Sequence, residues 1–328
     1  MDHVNCNLCG SNDSKLLFYG VDLCHRAEEK FALVRCTECD LVYVNPRPAA
    51  ERMGEYYPPW HHQRVPARPI EETTIWGIPF DEAMAIKSRL IRKWSSPGRL
   101  LDVGCGDGCL LYYLKQRGWQ TEGVEFGDVI YGRETLGLSI FQGVVEDAPL
   151  EEKSFDVVSL FHALEHLPDP RGTLAHLFSL LKPGGRLVLE VPNFGSLDAA
   201  LFGPHWVGVS APLHLYHLTK KTLKQLVLDS EFEVTECGTM PDQNKLIAGY
   251  SESLRFWLAA RGRYPKLWQQ HENRAEQGPA SSYDQPDDRG ESTSLLKMME
   301  FNVLRLVSKT AAMAGLGTYL YLVAQRPE

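Results

Sequence analysis

The sequence predicts an α/β protein in which a mostly parallel sheet, covered by helices on both faces, follows a small metal-held module. Three observations carry this. From Arg99 onward, short runs rich in Val, Ile, Leu and Phe alternate with helical segments, as in sheets built from strand–helix–strand crossovers. Gly104, Gly106 and Gly108 follow the first of these runs, where a strand turning into a helix lets backbone amides approach a ligand closely. Ahead of both stand Cys6-x-x-Cys9 and Cys36-x-x-Cys39.

The cysteine module comes first, at 1–48. Two Cys-x-x-Cys knuckles separated by 26 residues supply four thiolates, a set that suits tetrahedral Zn2+. Cys24 and His25 lie between them as spare ligands. So short a segment buries too little apolar surface to fold alone, so the metal supplies much of its folding free energy. Four protein ligands leave no open position, which makes the zinc structural.

A linker and helical lid are expected over 49–98. The stretch holds Tyr56, Tyr57, Pro58, Pro59 and Trp60, aromatics that pack on a neighbour. A helix is predicted over 81–94, capped by Asp81, with Ala83, Met84, Ile86, Leu90 and Ile91 at helical spacing. The sheet domain spans 99–244 with 313–328. Strands are predicted near 99–103, 120–125, 138–142, 155–161, 185–191, 231–237 and 318–324, and helices near 107–117, 128–136, 170–182 and 219–230. Between them, 245–312 reads as a helical insertion with a mobile polar loop rich in acids.

Charge and targeting signals exclude several classes. A formal net charge of −8 argues against a nucleic-acid footprint. The start, Met1-Asp2-His3-Val4-Asn5-Cys6, has neither a basic nor an apolar signal region, and no apolar run reaches the ~20 residues of a membrane span. A cytoplasmic protein is expected. Val303-Leu304-Arg305-Leu306-Val307 either joins the core or meets a bilayer surface or a lipid-linked acceptor.

The glycine turn selects its ligand by spacing and charge. A dinucleotide fingerprint needs Gly-x-Gly-x-x-Gly, whereas Gly104 and Gly106 are followed by Gly108 and then Cys109. Asp102 and Asp107 would repel a pyrophosphate but tolerate a ligand bearing an ammonium and a sulfonium. S-adenosylmethionine is thus favoured over a nicotinamide dinucleotide. Glu125, 19 residues after Gly106, can accept hydrogen bonds from ribose hydroxyls of either.

From about Ser88 to Phe232 the chain resembles the class I S-adenosylmethionine-dependent methyltransferases. The resemblance rests on Leu101-Asp102-Val103-Gly104-Cys105-Gly106-Asp107-Gly108, then Ser154-Phe155-Asp156-Val157-Val158, then Leu181-Lys182-Pro183-Gly184-Gly185. It implies a Rossmann-like seven-stranded sheet, mostly parallel with the last strand antiparallel. It also implies that Gly104 and Gly106 border the methionine portion, Glu125 holds the ribose, Phe126 packs on the adenine, Val145 and Glu146 meet the adenine edge, and Asp102 and Phe161 belong to the cofactor-binding set. Many relatives carry Asp at the position of Val144, so here the adenine edge relies on backbone amides.

Methyl transfer to oxygen or carbon often needs a base, and histidine can accept a proton near neutral pH. His162 follows the fourth strand at the carboxyl edge of the sheet, where such folds bind ligands. His214, in Pro212-Leu213-His214-Leu215-Tyr216-His217, matches the active-site histidine loop that the resemblance implies for quinone O-methyltransferases and sugar C-methyltransferases. His166 reads as a structural residue at the turn Pro168-Asp169-Pro170. Glu165 and His166 partly match an acidic segment that holds a divalent ion in some quinone enzymes, but His162 stands where a further acid is expected. Trp206 with Tyr56 and Tyr57 either walls the acceptor site or packs.

The cysteine knuckles, Asn45-Pro46-Arg47-Pro48 and Tyr56-Tyr57 resemble the sugar C-methyltransferases, whose additional C-terminal domain has no room in this length. The leading expectation is therefore O- or C-methylation of a small molecule such as a sugar, a polysaccharide precursor or a natural product. His214 serves as base, His162 lines the cofactor pocket or acts on substrate, and the zinc module and insertion cover the acceptor. The alternatives are a zinc-ribbon binding or scaffold protein with an inactive domain, and an NAD-dependent enzyme.

Overall fold

The computed structural model describes residues 1–22, 29–57, 69–75, 78–240, 253–254, 257–258 and 306–328. Cys24, His25, Trp60, Val303–Arg305 and most of the expected 245–312 insertion lie outside them. Among the described residues, no helix is long and apolar enough to cross a membrane. Two compact units emerge: Met1–Pro58 with Pro192–Lys220 and Gly238–Leu320, and Pro59–Val191 with Lys221–Cys237 and Tyr321–Glu328.

The chain opens with β1 (Ser14–Gly20), β2 (Phe31–Cys36) and β3 (Val42–Val44), then the short pair β4 (Thr74–Ile75) and β5 (Ile78–Pro79). The helix expected over 81–94 is two helices, α1 (Phe80–Lys87) and α2 (Arg89–Trp94). Ser88 interrupts them, its buried hydroxyl donating to the Met84 carbonyl at 2.7 Å, the local competition by which serine disturbs helices. Asp81 is not the cap. Pro79 holds that position, and Asp81 lies in the first turn, 3.1 Å from Arg117.

The alternating region follows the expected order: β6 (Arg99–Val103), α3 (Cys109–Lys115), β7 (Gln120–Glu125), β8 (Ser139–Gln142), β9 (Phe155–Phe161), α4 (Pro170–Leu180) and β10 (Leu181–Pro192). The helix expected near 128–136 is only a five-residue π-type turn, Tyr131–Thr135. At α4, Pro170 occupies the first turn and Asp169 accepts the Gly172 N–H at 3.0 Å, an arrangement that satisfies an orphan donor with a preset φ. β10 starts earlier than expected. Its register against β9 shifts between Leu181 and Arg186, so Pro183, Gly184 and Gly185 bulge out before regular pairing resumes. The chain continues through α5 (Leu197–Phe202), β11 (Tyr216–His217), α6 (Lys220–Leu228), β12 (Glu233–Met240) and β13 (Tyr319–Gln325).

The second unit carries most of a seven-stranded sheet in the order β12-β13-β10-β9-β6-β7-β8. The pairs β10–β9, β9–β6, β6–β7 and β7–β8 are parallel, and the last strand runs antiparallel as expected. Its register shows in Gly184 N–H to Arg326 O at 3.0 Å and Arg326 N–H to Gly185 O at 2.9 Å. The Arg326 guanidinium also reaches the Phe178, Ser179 and Leu181 carbonyls, satisfying the C-terminal end of α4. Leu100, Leu101, Val157, Val158, Leu160, Leu187, Val188 and Leu189 are fully buried along the central strands, the near-continuous apolar runs of a sheet covered on both faces. After β6 the chain winds outward through β7 and β8, then returns to the other side of β6 as β9. The carboxyl ends of β6 and β9 therefore form the switch point where open α/β sheets take ligands.

The first unit has a four-stranded sheet ordered β1-β2-β3-β11. Its core joins Phe31, Leu33, Val42 and Val44 to Ala199, Trp206, Val209 and Ala211. Trp206 is 1% exposed, and its indole N–H donates to buried Asp198 at 2.7 Å. Tyr56 packs edge-on against Phe31. Trp206 and Tyr56 are thus packing residues here.

Candidate functional site

The glycine turn occupies the switch point. Gly104, Gly106 and Gly108 have φ of 74°, 59° and 82°, the left-handed region that glycine adopts without a steric penalty. A Cβ on Gly104 would stand 2.6 Å from the Ala163 Cβ, whereas one on Gly106 would enter open space. Gly104 is thus needed for packing and Gly106 leaves the backbone accessible. Asp107 accepts the Cys109 N–H at 3.1 Å, fixing the entry to α3.

Glu125 closes β7 beside the turn. One carboxylate oxygen accepts the Gly106 N–H at 2.8 Å and the other the Gly127 N–H at 2.9 Å, so two backbone amides fix its orientation while each oxygen retains a second lone pair. Phe126 is 61% exposed, an open aromatic face next to that carboxylate. Asp102 lies beneath the turn, buried, accepting from the Ser159 hydroxyl at 2.7 Å. Burial pushes its carboxyl up to about 6, against the opposing charge of Lys87 and the Ser159 hydrogen bond. Val145 is buried, and Glu146 accepts the Thr173 hydroxyl at 2.6 Å. Phe161 is buried at the end of β9, with the Lys87 ammonium 5.1 Å from its ring centroid.

His162 follows directly, with φ of 58°. Its backbone N–H donates to the Glu190 carbonyl at 2.8 Å, and its Nε2 lies 2.8 Å from the Glu190 carboxylate. Its Nδ1 lies 3.6 Å from the carboxylate of Glu165, whose side chain is 1% exposed. Sequence reasoning missed Glu190. The available signal was one acid inside the apolar run Leu187-Val188-Leu189-Glu190-Val191, a charge that a buried strand holds only with a partner.

In the first unit, His214 Nδ1 lies 2.9 Å from the Gly208 carbonyl. A carbonyl only accepts, so Nδ1 carries the proton of a neutral ring and Nε2 the lone pair. His217 is buried, its Nε2 2.9 Å from the Val209 carbonyl. Tyr216 accepts from Arg47 at 2.8 Å, joining the Asn45-Pro46-Arg47-Pro48 segment to the histidine loop.

Cys6, Cys9, Cys36 and Cys39 place their sulfurs within 4.8 Å of one another, a group that could hold a metal ion. Cys6–Cys39 and Cys9–Cys36 separations are 3.4 and 3.5 Å, too long for disulfides and near the ~3.8 Å edge of a tetrahedron with metal–sulfur bonds of about 2.3 Å. The two knuckles share one backbone design. Gly10 and Asp40 donate to the carbonyls of Cys6 and Cys36 at 2.8 and 3.3 Å, and those cysteines donate to Ser11 and Leu41 at 2.8 and 2.9 Å. Burial pushes the Cys6 thiol up to about 11 and raises Cys39 as well. Burial also acts upward on Cys36, but hydrogen bonds led by the Cys39 and Glu38 amides outweigh it and lower that thiol.

Residues 76–237 match a family model described as a methyltransferase domain. Residues 76–237 thus form a methyltransferase domain. The chain is similar to the ubiquinone biosynthesis O-methyltransferase of Pseudomonas fluorescens (strain SBW25), 34% identical over 103 residues, 29% of this chain and 44% of the relative. Similarity to the enzyme of that name from Hahella chejuensis (strain KCTC 2396) is 31% over 143 residues, 41% of this chain and 56% of the relative. The chain thus spans about half the length of these relatives. Among solved structures, an S-adenosylmethionine-dependent methyltransferase from Mesorhizobium loti aligns with 76% of this chain and all of its own (100%), at 14% identity and a TM-score of 0.47.

Proposed function

We propose that the protein transfers a methyl group from S-adenosylmethionine to oxygen or carbon of a small molecule, with a histidine as general base. The observation that carries this reading is the cradle at the switch point: the open backbone at Gly106, the Glu125 carboxylate held by two amides, and the exposed ring of Phe126. Gly104 and Gly106 border the methionine portion, Glu125 accepts from the ribose hydroxyls, and Phe126 stacks on the adenine. The bound sulfonium supplies an electrophilic methyl group, and the protein contributes alignment and proton removal.

His162 is favoured as base because Ala163, its neighbour, packs directly on Gly104. It takes the acceptor's proton as the acceptor atom bonds to the methyl carbon and the carbon–sulfur bond breaks, its electron pair staying on sulfur. His214 is the second candidate, with Nε2 as its basic nitrogen. The similarity to ubiquinone biosynthesis O-methyltransferases supports an oxygen acceptor such as a phenol, and the cysteine module supports a sugar. The four thiolates hold a structural Zn2+, with Cys6, Cys9, Cys36 and Cys39 as its complete ligand set.

The test is methyl-labelled S-adenosylmethionine offered with a panel of phenols and nucleotide-linked sugars. Label should enter at least one acceptor, and the His162→Gln protein should bind cofactor normally while losing about 100-fold in turnover. Unchanged turnover in His162→Gln with loss in His214→Ala moves the base to His214, and unchanged turnover in both removes the histidine base.

A further inference from the structure

We propose that Glu190 is a positioning residue that selects the tautomer of His162, holding the proton on Nε2 and making Nδ1 the basic nitrogen. The inference deepens the proposed function and rests on its assignment of His162 as base. Residue 190 grips residue 162 twice, through its carbonyl to the His162 N–H and through its carboxylate to Nε2, both at 2.8 Å. An ionised carboxylate only accepts, so a neutral imidazole facing it at that distance presents Nε2–H. The pairing is parallel and in register, Glu190 standing opposite Phe161, so the sheet itself sets the spacing.

Two further features have the same cause. Glu190 is buried at the end of a central strand, between the fully buried Leu189 and Val191, where a carboxylate is retained only with a hydrogen-bonded partner. His162 has a φ of 58°, a conformation uncommon for residues other than glycine that persists only where surrounding contacts hold it. Both follow from a ring and a carboxylate fixed against each other. Once Nδ1 accepts a proton, the imidazolium lies between Glu190 and Glu165, at 2.8 and 3.6 Å, so the charge that proton transfer creates is already countered.

The experiment uses the full chain with 15N-labelled histidine rings, recorded at alkaline pH, with His162→Gln identifying the His162 signals. Wild type should show Nε2 protonated and Nδ1 unprotonated. In Glu190→Gln the amide can accept or donate, and the tautomer ratio should fall about tenfold or more. Glu165→Gln should change the ratio far less than Glu190→Gln, because 3.6 Å exceeds hydrogen-bond distance and leaves only the weaker charge interaction. A wild-type ring protonated on Nδ1 overturns the proposal whatever the variants do, as does a folded Glu190→Gln protein with the wild-type ratio. Cofactor titration of the same samples keeps the two readings apart, since failure to bind S-adenosylmethionine counts against the proposed function and leaves the tautomer result standing.

Discussion

Replacing Gly104 with alanine should destabilise the methyltransferase domain through two separable costs. The first is backbone: at φ of 74° an L side chain costs roughly 1–2 kcal/mol. The second is steric, because the new Cβ would stand 2.6 Å from the Ala163 Cβ, and relieving such an overlap in a packed site costs about 1–3 kcal/mol. The total is about 2–5 kcal/mol. Gly106→Ala isolates the first cost, since its Cβ meets nothing within 4 Å, and should destabilise by only about 1–2 kcal/mol. Ala163→Gly in the Gly104→Ala background removes the clashing atom, leaving the Ala163 backbone at an ordinary 3.8 Å, and should recover the steric part. Urea denaturation of the three proteins reads these differences directly. Equal destabilisation by Gly104→Ala and Gly106→Ala, or no recovery on adding Ala163→Gly, would mean that the Ala163 contact carries no steric cost.

Other perturbations separate cofactor binding, charge burial and metal. Phe126→Ala should leave the denaturation midpoint unchanged, because the ring is 61% exposed, while weakening S-adenosylmethionine about 5- to 100-fold by calorimetry; unchanged affinity removes Phe126 from the adenine site. Asp102 has a folded carboxyl raised from 3.8 to about 6 by burial, so its contribution is most favourable below about pH 4 and is lost as pH rises towards 6. Wild-type stability relative to Asp102→Asn should therefore fall by about 3 kcal/mol across that window, and a pH-independent difference would remove the burial argument. Cys36→Ala should lose stoichiometric zinc by elemental analysis and lose amide protection in residues 1–44, whereas full zinc content would break the four-thiolate set.

The succession of strands along the chain was readable from β6 onward because buried parallel strands write themselves as apolar runs between turn residues. The glycine turn and the cysteine knuckles were readable because spacing and chemistry coincide. What escaped depends on particular side-chain contacts that apolar periodicity does not record. Ser88 breaks a helix whose apolar periodicity runs straight through it, since a serine hydroxyl competing for the Met84 carbonyl leaves no mark on that pattern. The 128–136 segment carries helical periodicity but only Tyr131–Thr135 winds. Trp206 reads equally as a substrate wall or a core residue until Asp198 is seen to satisfy its indole N–H. Glu190 is visible as an acid in an apolar strand, yet its partner lies 28 residues away and emerges only from the β9–β10 register.

Calorimetric titration of the full chain with S-adenosylmethionine tests whether the Gly104–Phe126 cradle holds that cofactor. One site per chain is expected, with affinity lost in Glu125→Ala while the fold stays intact, and with no displacement by NAD. Absence of binding heat at several temperatures, or a preference for NAD over S-adenosylmethionine, would contradict it.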